Sequence, residues 1–249
     1  MLSLQHVTKE FKIKDARHPV LQDINFTVEA NSIVSLLGPN GCGKTTLLKI
    51  LAGLEQPTSG TISWSNTQHP RVGFLFQNPA KALFPWQTVE EHIRFALKTH
   101  VSDAQELQRE SHKILDALQM STHKNKYPYE LSGGMMQLLA MGRSWAMRPD
   151  IFILDEALSA LDYYSALALQ DIFLKLWSER PIPTVVVTHD VDEAIFLSDK
   201  ICILSPRPGR IIEEIDVALP RPRQFADRTS GTFVELRKRV LDGMEGFLI

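Results

Sequence analysis

Eight residues, Gly38–Thr45, read GPNGCGKT and fit the spacing G-x-x-x-x-G-K-[ST]. Glycines at that spacing let successive backbone N–H groups turn inward around an anion, and a helix opening directly afterwards adds partial positive charge. Lys44 brings a point cation to the β and γ phosphates of a nucleotide, and Thr45 a hydroxyl suited to Mg²⁺. A chance glycine turn can share the spacing. Here the apolar run Ile33–Leu37 precedes it and a helical pattern, Thr45–Leu51, follows, which is the context the motif requires. A second stretch, IFILDE (Ile151–Glu156), completes the chemistry. Four apolar residues indicate a strand buried on both faces, ending at Asp155, which can hold Mg²⁺ directly or through water. Glu156 is placed to orient or deprotonate a water facing the γ-phosphate. Acids just after a strand are also common helix caps; beside the glycine loop, the pair points to nucleoside-triphosphate hydrolysis. A third stretch, LSGGMMQ (Leu131–Gln137), holds no acid, base or thiol. Its two glycines beside a serine leave bare backbone for another bulky anion.

The elements that must position these groups can be read from periodicity. Short β-rich runs come first, at Leu2–Val7, Ile24–Val28 and Ile33–Leu37. PTSG (Pro57–Gly60) is turn chemistry ahead of Thr61–Trp64, and Val72–Phe76 reads as a buried strand. From Thr88 to about Met147 the spacing turns helical, with Thr88 and Asp103 as N-caps. Strand-like runs return at Ile151–Leu154, Thr184–Thr188, Lys200–Leu204 and Arg210–Val217, with a helical Tyr163–Trp177 between the first two. Alternation at both ends implies a mostly parallel α/β core interrupted by a helical insert. The expected division places the nucleotide-binding core and an N-terminal β part in residues 1–87 and 149–220. A helical part carrying LSGGMMQ takes 88–148, and a helical tail takes 221–249.

Among 249 residues the net charge is −2 and the pI about 6.4, so the bulk charge offers nucleic acid no basic surface. Six basic residues follow Pro220 (Arg221, Arg223, Arg228, Arg237, Lys238 and Arg239), are offset by four acids, and read as a solvated tail. Phe225, Phe233 and Phe247 nearby suggest a small helix packed on the core. Cys42 and Cys202 are the two cysteines, and the eight histidines show no ligand spacing with them. Cys42 reads as a passive loop residue whose thiol would make binding sensitive to alkylation. Met1–Val7 lacks a secretory pattern, and no run approaches eighteen apolar residues. The expectation is a cytosolic protein in a reducing setting, able to dock on a membrane partner.

Taken in order, GPNGCGKTT, FLFQN, LSGGMMQ, FILDE, SALD and VTHD resemble the motifs of the ATP-binding cassette (ABC) ATPases, over nearly the whole chain to about Leu219. The resemblance implies a P-loop NTPase (RecA-like) core with an antiparallel β subdomain and an inserted α-helical subdomain, acting as an Mg-dependent ATPase. It implies ATP contacts from Gly38, Pro39, Asn40, Gly41, Cys42, Gly43, Lys44, Thr45 and Thr46, with Mg²⁺ held by Thr45, Gln77 and Asp155. Glu156 would be catalytic, His189 of VTHD would contact the γ-phosphate, and Gln77 of FLFQN would touch Mg²⁺ and water and couple to a membrane partner. Asp162 of SALD would communicate across a dimer. Phe11, the aromatic after the first strand, is similar in position to the residue that stacks on adenine. LSGGMMQ is similar to the signature loop. In a head-to-tail homodimer, Ser132, Gly133 and Gly134 of one subunit would close on the γ-phosphate held by the partner's Lys44, aided by a helix beginning near Met135. Read from the residues alone, Gln77 could cap a strand end, Asp162 a helix, His189 could be a structural histidine and Phe11 a core residue.

Without heptads, a second cassette or a fused transmembrane segment, the chain resembles the ATPase subunit of a bacterial importer. Its partners would be separate integral membrane permease subunits and an extracytoplasmic solute-binding protein, and its place the cytoplasmic face of the inner membrane. Ile203–Arg223 resembles the final strands of the nitrate, sulfonate and taurine importer ATPases, a group that includes importers of thiamine-pyrimidine precursors. Ala157 stands where proline is usual there, and Met136 and Leu138 where arginine is found. Asn78–Trp86, NPAKALFPW, follows Gln77 and would expose Phe84 and Trp86 as a permease-docking surface, core packing of the two aromatics being the other reading. A soluble ATPase with a regulatory or assembly role and no permease is the alternative from a different class.

Overall fold

A computed structural model describes residues 1–14, 16–65, 70–157 and 161–247. The chain runs β1 (Leu2–Ile13), β2 (Ala16–Val28), β3 (Ile33–Leu37), α1 (Lys44–Leu51), β4 (Ser59–Trp64), β5 (Val72–Leu75), α2 (Val89–Leu97) and α3 (Ala104–Ala117). It continues through α4 (Gly133–Ala146), β6 (Ile151–Asp155), α5 (Tyr163–Glu179), β7 (Thr184–Val187), α6 (Val191–Leu197), β8 (Lys200–Leu204), β9 (Ile211–Asp216) and α7 (Gly231–Met244). These gather into two compact units, Met1–Pro70 with Pro181–Ile249, and Arg71–Arg180.

In the first unit β3 is buried at every position. It pairs in parallel with β7 on one side and β8 on the other, which is where a strand apolar on both faces belongs. β9 closes this group antiparallel to β8. A separate antiparallel sheet has the order β2–β1–β4. Its first two strands run well past the expected Leu2–Val7 and Ile24–Val28. The cause is a set of register shifts between Leu4 and Glu10, with His6 and Asp23 at φ 52° and 53°. Bulges of this kind break the period-2 alternation by which a strand is recognised. The His6 N–H donates to Asn25 Oδ1 at 2.7 Å and pins one of them. Pro19 is tolerated in β2 because that strand is at an edge.

In the second unit β5 and β6 pair in parallel. The caps read from sequence are present: Thr88 and Glu91 form a capping box on α2, Asp103 caps α3 and Asp162 caps α5. Helix α4 is fastened along β5 by two side chains. Gln137 Nε2 donates to the Phe76 carbonyl and Ser144 Oγ to the Phe74 carbonyl, each at 3.2 Å.

The C-terminal basic residues are not the solvated tail expected. Arg223 is buried, and its guanidinium donates to the carbonyls of Ile195 (3.1 Å) and Phe196 (2.8 Å). Arg221 donates to the Leu197 carbonyl at 2.8 Å and lies 2.9 Å from Asp199. The last carbonyls of α6 have no partner within the helix, and two guanidinium forks supply donors. Charge counting along the sequence cannot show such a partner. Burial pushes the Arg223 guanidinium down to about 10, which leaves it protonated at neutral pH. α7 buries Phe233, Leu236 and Val240, as the sequence suggested for Phe233, whereas Phe225 stays 57% exposed. The Phe247 side chain lies outside those described.

Replacing Arg223 with Met should strand the α6 carbonyls and lower unfolding free energy by about 2–4 kcal/mol. Urea denaturation reads this as a fall in midpoint. Lys238→Met, at an exposed position of α7, should change stability by no more than about 0.5 kcal/mol.

Candidate functional site

In the first unit β3 delivers the chain to Gly38, and Gly38–Thr45 wraps back into α1. Gly41 and Gly43 hold φ of 79° and 115°, the left-handed region that favours glycine. A Cβ on Gly43 would meet Leu21 Cδ2 at 2.6 Å, so no side chain fits there. α1 opens at Gly43 with no side-chain cap and no acid in its first turn. Its leading N–H groups therefore present donors alone, the arrangement an anion completes. Lys44 is 6% exposed and folds over the loop, its Nζ donating to Gly38 O at 2.7 Å and Pro39 O at 3.2 Å. Asn40 and Thr45 are exposed, while Pro39 and Thr46 are half-buried. This donor set fits a polyphosphate.

Gly209 is a supporting residue that periodicity did not single out. A Cβ there would meet the Cys42 carbonyl at 2.3 Å, so the turn before β9 sits directly against the phosphate loop. Cys42 is 1% exposed, and burial pushes its thiol up. A buried, protonated thiol reacts slowly, which overturns the expected sensitivity to alkylation.

His189 follows β7 and is exposed. Phe11 lies inside β1, opposite His18, and not after the first strand as expected, because the bulged strand runs on to Ile13. Its ring is half-buried, with the Lys9 ammonium 4.8 Å from its centre.

In the second unit the pairing of Leu75 with Leu154 sends Gln77 and Asp155–Glu156 out of the same edge of the same strand pair. Gln77 is exposed; Asp155 and Glu156 are half-buried. Glu156 holds φ 47°, uncommon for a residue with a Cβ and a feature that clusters at functional sites. The signature helix begins at Gly133, two residues before the expected Met135, because Ser132 caps it by accepting the Met135 N–H at 3.3 Å. The N–H groups of Gly133 and Gly134 thus precede the first intrahelical bond, from Met136 N–H to Ser132 O. Gly133 is exposed, with open space where a Cβ would stand. Gly134 lies beside Ser165, whose N–H donates to Asp162 Oδ1 at 3.0 Å. Ser159 and Ala160 of SALD lie outside the described residues.

The oxygen chemistry of Thr45, Gln77 and Asp155 suits a hard cation such as Mg²⁺. Among the described residues no group of three or more His, Cys, Asp or Glu could hold a metal by itself.

The segment after Gln77 builds an aromatic surface. Trp86 is 70% exposed and stacks at 5.5 Å on Phe84, which is half-buried and so lies between the exposed and the core-packed reading. Phe95 meets Phe84 edge-on at 5.5 Å. His92, fully buried, fixes the segment: its Nε2 accepts the Phe84 N–H at 2.9 Å and its Nδ1 donates to Thr88 O at 2.8 Å.

A donor-lined loop between strand and helix, with an acid pair at the end of a buried parallel strand, defines a P-loop nucleoside-triphosphatase. Among known proteins, the ABC transporter model matches residues 21–159. The aliphatic sulfonates import ATP-binding protein SsuB of Bacillus licheniformis is 38% identical over 248 residues, covering 98% of this chain and 94% of its own. SsuB 2 of Pseudomonas syringae is 43% identical over 213 residues, 85% of this chain and 87% of its own. A solved ATP-binding cassette, dimeric in a post-hydrolysis state with ADP and Pi, superposes with a TM-score of 0.75 at 26% identity, over 88% of this chain and all of the other. The chain belongs to the ABC transporter family and is an ATP-binding ATPase of that family.

Burial, with Arg143 adding to it, holds the His92 pKa below its ordinary 6.5. The unfolded chain therefore takes up this proton first. The stability contributed by neutral His92 is complete above about pH 6.5 and declines as pH falls below that toward the lower folded value. Unfolding free energy should drop with pH in that window, with His100 adding a slope of the same sign. His92→Gln, which can still accept from Phe84, should make the slope shallower in urea titrations across pH 5–7.

Proposed function

We propose that the chain is the ATP-hydrolysing subunit of an importer, working as a head-to-tail homodimer on a separate permease. The observation that carries the dimer is the exposed start of α4, where bare glycine N–H groups and an open surface form a seat for a phosphate. ATP held by a second copy fills it, as the dimeric state of the similar cassette supports. Sulfonate-like solutes are the first choice for the cargo, given that relatives at 38–43% identity are aliphatic sulfonates import ATP-binding proteins. Taurine, nitrate and thiamine-pyrimidine precursors stand behind them. A solute-binding protein would deliver the cargo, and the cassette would sit on the cytoplasmic face of the membrane. Among the described residues no helix is long and apolar enough to cross a membrane. The Phe84–Trp86 surface, with Phe95 beside it, is the docking face.

In this reading Lys44 and the α1 N–H groups hold the β and γ phosphates, and Phe11 stacks on adenine. Thr45, Asp155 and Gln77 hold Mg²⁺, which when bound neutralises charge on the phosphate oxygens. Glu156 takes a proton from the attacking water as its oxygen bonds to the γ-phosphorus and the bond to the leaving ADP oxygen breaks. His189 steadies the γ-phosphate, and Asp162 reports its loss across the dimer. Ser132, Gly133 and Gly134 seat the partner's nucleotide, so ATP joins the two copies and hydrolysis releases them.

Glu156→Gln should slow turnover by about 10²–10⁴-fold and trap an ATP-loaded dimer. Steady-state ATPase assays and light scattering with Mg-ATP check both, and a strictly monomeric variant would exclude the dimer. Lys44→Ala should weaken ATP binding in titration calorimetry by well over tenfold; unchanged affinity would remove the phosphate loop from the site.

A further inference from the structure

His189 is carried by the turn between β7 and α6, and that turn is tied on several sides. The Thr188 hydroxyl donates to the buried carboxylate of Glu193 and accepts the Asp190 N–H at 3.0 Å. Asp190 caps α6 by accepting the N–H groups of Asp192 (2.8 Å) and Glu193 (3.1 Å). Beyond these local bonds, α7 reaches the same turn. Arg237 Nε donates to Asp192 Oδ1 at 2.6 Å, and its Nη2 to Oδ2, a two-point grip on the first turn of α6. Buried Phe233, Leu236 and Val240 anchor α7 beneath that arginine. Arg221 and Arg223 hold the carbonyls at the far end of α6. A helix of seven residues is therefore gripped at both ends by one C-terminal segment.

The Arg237–Asp192 pair is 39% exposed on each side, and exposed ion pairs contribute little to stability. What a planar, two-point contact does fix is direction. We propose that Arg237 is a positioning residue for ATP hydrolysis: acting through Asp192, it sets the orientation of the first turn of α6 and thereby of His189. The inference rests on the proposed contact of His189 with the γ-phosphate. It makes α7 a strap on the catalytic turn, a role that neither the nucleotide motifs nor their spacing assign to it.

The test is a mutant cycle on ATPase kinetics of the full chain, with unfolding midpoints measured alongside. Arg237→Met and Asp192→Asn should each lower kcat by about tenfold or more, with KM for ATP little changed. Arg237→Lys, keeping the charge and one donor, should recover part of the loss. In a His189→Ala background Arg237→Met should produce no further fall, which a purely structural role would not predict. Asp192→Asn, nearly isosteric, carries the test if Arg237→Met does not fold. Unchanged kcat in Asp192→Asn, or the same fold-loss from Arg237→Met with and without His189, overturns the proposal while leaving His189 in place. A His189→Ala enzyme with wild-type kcat removes the role of His189 and the proposal with it.

Discussion

Backbone N–H groups at a helix start need an acceptor, and the chain meets that need in two opposed ways. α2, α3, α5, α6 and α7 each open on a side chain that accepts from the first turn, and α2, α3 and α6 add acids there. α1 has neither a side-chain cap nor an acid, and α4 has a serine cap but no acid. A missing cap forgoes about 1 kcal/mol, and a missing first-turn acid a further 0.3–1 kcal/mol. A carboxylate at either place would compete with phosphate for the same donors. Among the described α-helices α1 is the one that lacks both, at the start that carries Gly43; α4 shares its capped, acid-free start with α5 and α7. A phosphate seated at the α1 start would return that stability, which couples nucleotide occupancy to the order of that helix start.

Local chemistry made the phosphate loop, the acid pair and the caps at Thr88, Asp103 and Asp162 legible, because each depends on neighbours within a few residues. What stayed hidden depends on contacts far apart in sequence. The bulges at His6 and Asp23 interrupt the alternation that marks β1 and β2, so Phe11 looked like a loop residue when it is part of a strand. Gly209 matters because the Cys42 carbonyl, 167 positions earlier, leaves no room for a Cβ. Arg223 looked like solvated charge because its partners, the carbonyls of Ile195 and Phe196, carry no side-chain signature. The grip of Gln137 on the Phe76 carbonyl has the same character: an amide side chain bonded to backbone leaves no periodic trace.

That last contact bears on how the second unit works. Gln137 belongs to the signature stretch, and Phe76 directly precedes Gln77, so the edge of β5 and the start of α4 share a hydrogen bond. Gly134, one turn before Gln137 on α4, abuts Ser165, which Asp162 holds at the start of α5. Short contacts of this kind transmit displacement because close-packed interiors have little free volume in which to absorb it. The residue before Gln77, the signature helix and Asp162 are therefore linked by short contacts within this unit.

The same helix reaches the aromatic surface. The Arg143 guanidinium, in the last turn of α4, stands 5.2 Å over the Phe84 ring, while Ser132 caps the opposite end. At 1.5 Å per residue, fourteen residues make a rod of about 20 Å. One end of that rod meets the Phe84–Trp86 surface, and the other carries the N–H groups of Gly133 and Gly134 that precede its first intrahelical bond. A rigid helix cannot tilt at Phe84 and remain still at Gly133. Under the proposed function, docking and nucleotide seating would be two loads on one element, which Gln137 and Ser144 fasten to β5.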